Sequence, residues 1–73
     1  MGTFAEDTRR TIQRLKNYYD NLIFRGYSSQ TATDKVFFDN GDIEAIIVMY
    51  ALGIQLDYDD TQLINAMLDD SND

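Results

Sequence analysis

An all-α fold is what the sequence predicts: a compact bundle of three helices with an additional C-terminal helix. Three observations predict it. The 73 residues contain no proline and only four glycines, too few breakers for a turn-rich β protein. Apolar side chains recur at spacings of three and four in four separate segments, the period of a helical face. Hydrophobic residues make up 44% of the chain, with four Phe and five Tyr, which suits a packed core and not a disordered chain. The length suits one domain, residues 1–73, with a thin margin of stability.

The first helix is expected at about 7–24. Ile12, Leu15, Tyr19, Leu22 and Ile23 share one face, and Arg9, Arg10, Arg14, Lys16, Asn17 and Asp20 fall mostly on the other side. Glu6 and Asp7 sit where the helix dipole favours negative charge, and Gly26 supplies the stop. The second helix, about 28–38, has Ser28 as N-cap and Ala32, Val36 and Phe37 on its inner face. Asn40-Gly41 then makes a corner at which Gly41 is expected to take a positive φ. The third helix, about 43–52, starts with Asp42 as cap and is apolar almost all round, the mark of a central element. Gly53 followed by Ile54 reads as its C-terminal cap. The fourth helix, about 60–68, opens on Asp59 with Gln62 three residues on, a variant capping box. Its stripe is Leu63, Ile64, Met67 and Leu68, and residues 70–73 read as a disordered tail. The expected core gathers Leu15, Tyr19, Leu22, Tyr27, Val36, Ile43, Ile46, Ile47 and Tyr50.

Composition excludes most chemistry. With no Cys and no His, the chain lacks thiolate nucleophiles, the common zinc, copper and haem ligands and the usual neutral-pH base. Asp57-Tyr58-Asp59-Asp60 hints at a calcium loop, but the sixth and twelfth positions from Asp57 are Gln62 and Leu68 where Gly and Glu are needed. No catalytic residue, metal or cofactor is expected, and the chain reads as no enzyme. The longest apolar run, Ile43 to Ile54, is broken by Glu44 and Gly53 and falls short of the roughly 18 residues of a membrane span. The N-terminus shows no signal-peptide pattern, so a cytoplasmic location is the expectation.

Charge is unevenly spread within a net −7. Residues 1–35 hold all six Lys and Arg against four acids, and residues 36–73 hold nine acids and no base. Nucleic acid and anionic membrane should be repelled as direct partners, and a partner of the C-terminal half should be basic or apolar.

The stretch from Leu22 to Leu52 carries a further pattern. A helix ends in Phe24-Arg25-Gly26-Tyr27-Ser28. Ala32 and Val36 follow at intervals of four, and Asn40-Gly41-Asp42-Ile43-Glu44 leads into an apolar helix. This resembles the ubiquitin-associated (UBA) family and its relatives at the front of elongation factor Ts. The resemblance implies a three-helix core with Tyr27 as aromatic anchor and Ala32 at a close helix approach. It also implies a protein-binding role. Ubiquitin-binding members use a Met-Gly-Phe/Tyr turn and the end of the third helix. Arg25-Gly26-Tyr27 and Met49-Tyr50-Ala51-Leu52 stand there in this chain, with Arg25 in place of Met, so the resemblance assigns Arg25, Tyr27, Met49 and Leu52 to a partner, ubiquitin included.

The fourth helix adds a second surface. Acids ahead of Leu63 and then Ala66 resemble the start of a ubiquitin-interacting motif, although Asp70 stands where that motif has Ser. An apolar stripe with an acidic rim also suits a basic groove. Asp57, Asp59, Asp60, Leu63, Met67, Asp69 and Asp70 are therefore candidate partner-binding residues. The competing expectation is a small acidic phage or mobile-element inhibitor, a DNA mimic of the anti-restriction or anti-CRISPR type. Eleven Asp against two Glu would place carboxylates like phosphates, and serve caps and turns equally well.

Overall fold

A computed structural model describes residues 4–69, and the expected tail at 70–73 lies outside them. Among the described residues the fold is all-helical: α1 Phe4–Phe24, α2 Ser29–Asp39, α3 Ala45–Ala51 and α4 Tyr58–Met67. Helix α1 is the spine and touches each of the other three.

The buried face of α1 runs Ala5, Thr8, Ile12, Leu15 and Leu22, so the core seam starts about two turns earlier than the sequence suggested. Thr8 keeps its hydroxyl satisfied there by donating to the Phe4 carbonyl at 2.9 Å. Ile23, read onto this face, is left exposed at its edge. The helix ends as expected. Gly26 has φ 101°, and the Tyr27 and Gly26 amides donate to the Leu22 and Ile23 carbonyls at 3.2 and 3.0 Å. A Cβ at Gly26 would meet nothing within 4 Å, so glycine is needed for its φ and not for space.

Helix α2 begins as read, with the Ser28 hydroxyl accepting from the Thr31 amide at 3.2 Å. Ala32 and Val36 are completely buried. The following corner differs from expectation. Among the described residues positive φ occurs at Gly26 and Gly53 and not at Gly41, where an added Cβ would make only ordinary contacts. Asn40 holds the corner instead. Its backbone and side-chain nitrogens both donate to the Val36 carbonyl, at 3.1 and 2.9 Å. Its Oδ1 accepts from Arg14 at 3.1 Å, and its carbonyl accepts from the Ile43 amide at 3.0 Å. Four hydrogen bonds through one residue remove the need for a left-handed glycine.

That turn also shifts the start of α3. Asp42 does not cap it. The helix starts at Ala45, with Glu44 in the cap position making no side-chain hydrogen bond. Ile43 stays outside the helix because its amide is committed to Asn40. The end is as read: Gly53 has φ 75°, and the Ile54 amide donates to the Met49 carbonyl at 2.9 Å. Helix α4 starts earlier than expected, capped by Asp57, whose carboxylate accepts from the Asp60 amide at 2.8 Å. Asp59 is therefore inside the first turn and not a cap.

One core joins all four helices, and its largest fully buried side chains are Leu15, Val36, Val48 and Ile64. Of the expected core, Leu15, Leu22, Val36 and Ile47 are buried, while Tyr19, Ile43 and Ile46 pack against it partly exposed. Tyr27 and Tyr50 are corrections. Each is 40% exposed. Tyr27 follows the left-handed turn and lies over the surface of α2, and Tyr50 stands on the edge of a short helix already filled by Ile47, Val48 and Ala51.

Candidate interaction surfaces

The turn after α1 is tied into its own neighbourhood. The Lys35 ammonium sits 5.0 Å from the centre of the Tyr27 ring, within cation–π reach. The neighbouring Tyr18 hydroxyl donates to the Asp39 carboxylate. That hydrogen bond, with desolvation and the Asp39 charge behind it, pushes the Tyr18 phenol above its ordinary 10.0, and the nearby Arg25 charge opposes the rise. Arg25 and Tyr27 are exposed, as a partner-binding role requires.

Met49 and Leu52 are each partly buried. Leu52 lines a hollow of about 430 Å³ with Lys16, Tyr19, Asp20 and Tyr50, and neither Tyr27 nor Met49 lines it. Tyr50 is the residue that sequence reading missed. It also borders hollows of about 260 and 310 Å³, facing α4 and the α1 edge respectively. An aromatic hydroxyl at the end of an otherwise aliphatic helix was the available signal.

The acids of α4 divide by task. The Asp57 carboxylate caps the helix and Asp60 is half-buried beside it, leaving Asp59 as the exposed acid of the first turn. Leu63 is 48% exposed one turn after Asp59, on the same outer face of α4, and Tyr58 at the start of the helix is more exposed still. Asp69 is exposed and Asp70 lies outside the described residues. Arg9 donates to the Leu68 carbonyl at 3.1 Å, bringing positive charge to the end of α4 where the helix dipole is negative.

Arg10 and Arg14 are spent locally too. Arg10 pairs with Glu6 at 2.6 Å and Asp7 at 3.7 Å within α1, and Arg14 serves the Asn40 corner. The basic cluster of the sequence thus fans out to three different elements and presents no single patch.

Met67 belongs to another feature. With Phe4, Ile43 and Ile47 it forms the apolar lining of a hollow of about 320 Å³ between the starts of α1 and α3 and the end of α4, with Asp7 and Glu44 also lining it. Among the described residues no group of His, Cys, Asp or Glu could hold a metal ion, and no helix is long and apolar enough to cross a membrane. No family model, no curated protein and no solved structure matches the chain.

Proposed function

We propose that the chain is a non-catalytic protein-interaction module whose C-terminal half takes a partner presenting basic and apolar groups. The observation that carries this reading is the pairing of two features in α3 and α4. No Lys or Arg occurs after Lys35, and α4 leaves Leu63 exposed one turn from Asp59, with Tyr58 exposed at its start. Buried apolar area supplies affinity in such contacts, and surrounding charge supplies encounter rate and choice of partner.

For α1 to α3 we infer a UBA-like arrangement. Three features support it: the left-handed Gly26 turn, the Ser28 cap, and the completely buried Ala32 in α2. Titration with ubiquitin, followed by amide shifts at Arg25, Tyr27, Met49 and Leu52, tests that inheritance directly. An absence of shifts would remove ubiquitin as the partner.

The main test is capture of partners from a lysate of the native host at low and high salt, by the parent and by Asp59→Lys with Leu63→Ser. Both positions are exposed, so the fold should survive within about 0.5 kcal/mol. Salt-sensitive capture by the parent and its loss in the variant is the expected result. Equal capture by both proteins would refute the assignment to α4.

A further inference from the structure

We infer that the hollow between the starts of α1 and α3 and the end of α4 is the docking site for a large apolar side chain carried on a basic segment of a protein partner. This rests on the interaction-module reading and gives it a second, more specific surface.

The hollow has a cause in the sequence. Along the buried face of α1 the first turns carry Ala5 and Thr8, with Thr11 partly buried beside them, all small, where later turns carry Ile12, Leu15 and Leu22. Helix α3 starts two residues late because the Asn40 turn holds Ile43 outside it. Small side chains on one wall and a delayed helix on the other leave about 320 Å³ open. That is at the low end of the range for ligand clefts, roughly 300–1,000 Å³, and suits one or two side chains better than a large metabolite. The lining is Phe4, Ile43, Ile47 and Met67, and Phe4 remains 64% exposed at the rim. An apolar group from outside would cover Phe4 and complete the seam.

Charge selects the kind of segment that carries this group. Glu44 stands on the rim, does not cap α3, and has no ion-pair partner among the described residues. Asp7 stands on the α1 side, and its cation, Arg10, is 3.7 Å away and closer to Glu6. Helices α3 and α4 contribute no base at all. A partner bringing Lys or Arg beside its apolar anchor would pair with both carboxylates, whereas an acidic segment would be repelled by them and by the net charge of −7. The 430 Å³ hollow beside Tyr50 offers no such selection, because Lys16 and Asp20 both line it.

The test uses three short synthetic peptides: Leu and Lys at helical spacing, the same charges with Ser for Leu, and Leu with Glu. Methyl NMR of Ile43, Ile47 and Met67 reports on the hollow, and Leu63 methyls report on the outer edge of α4. The Leu/Lys peptide should shift the hollow methyls, and the other two should leave them unmoved. Asp7→Lys with Glu44→Lys should weaken that peptide at least tenfold at low salt, and Thr11→Phe, which fills the hollow, should abolish the methyl shifts. Far-UV circular dichroism checks each variant, with Asp7→Asn and Glu44→Gln replacing a reversal that unfolds. Shifts confined to Leu63 would overturn the hollow and leave the module reading standing. Equal shifts from the Ser/Lys peptide would overturn it as well, because apolar docking would then play no part. Binding at neither surface would overturn both.

Discussion

Up to Asp39 the charged side chains mostly find partners inside the molecule, and beyond it they mostly do not. Arg9, Arg10 and Arg14 are committed to the end of α4, to Glu6 and Asp7, and to Asn40. Lys35 lies over Tyr27, and Asp39 accepts from Tyr18. In the second half Asp57 is taken by a cap, but Asp42, Glu44 and Asp59 are exposed with no cation of their own half to meet. The difference teaches where to look for function. Groups spent on the fold cost stability when changed, and groups left in water are the ones a partner can use.

The largest expected effect breaks the second half. Helix α4 is anchored by one completely buried side chain, Ile64. Ile64→Ala should cost roughly 2–5 kcal/mol by transfer and cavity terms. Ile46→Ala should cost less, because Ile46 is only partly buried. Denaturant melts of the two variants would show it, and a larger loss for Ile46 would mean the packing of α3 is misassigned. Hydrogen exchange should also show α4 amides opening before those of α1 in the Ile64 variant.

The corner provides the next test, in the first half. Asn40→Ala removes a buried amide and leaves Arg14 without its acceptor, so a loss of about 1–3 kcal/mol is expected. Gly41→Ala should change stability little, since its φ is not positive and a new Cβ would lie 3.8 Å from the Phe38 carbonyl oxygen, an ordinary van der Waals contact. Gly26→Ala should fall between them, at about 1–2 kcal/mol for a left-handed alanine. A Gly41 variant that melts below the Asn40 variant would restore the glycine as the keystone of this corner.

The smallest effect is a titration. Subtracting the ultraviolet pH titration of Tyr18→Phe from that of the parent should isolate a phenol that ionises above 10.0. A tyrosine whose folded pKa is raised is stabilised in its neutral form. The contribution is full below the unfolded value and is lost as pH rises through the folded one. Stability of the parent should therefore fall more steeply on the alkaline side than that of Tyr18→Phe. Coincident alkaline limbs would mean that the Tyr18–Asp39 contact does not persist in solution.

Much of the frame was legible from residue order because its signals are local. Ser28 before a helical run and Gly26 and Gly53 after apolar runs each act over one turn of chain, and all three take their expected places. The candidate site was less legible. Of the residues assigned to a partner, Arg25, Tyr27, Asp59 and Leu63 are exposed, but Asp57 turned into a cap, and Met67 lines a hollow that no motif announced. Tyr27 is the core anchor that the resemblance implies and Tyr50 shares the apolar face of α3, yet both stand 40% exposed, the core side of α3 being filled by Ile47, Val48 and Ala51.

By itself the sequence determined that the chain is helical, where two helices stop, and that all positive charge lies before residue 36. Periodicity, glycine conformation and side-chain charge depend on neighbours along the chain. Packing between distant segments is what gave the corner to Asn40 and opened a hollow beside Met67. The corner depends on Arg14 reaching Asn40 and the hollow on Phe4 meeting Ile43, Ile47 and Met67, contacts distant in the chain, and the volume left between packed helices is a property of no single segment.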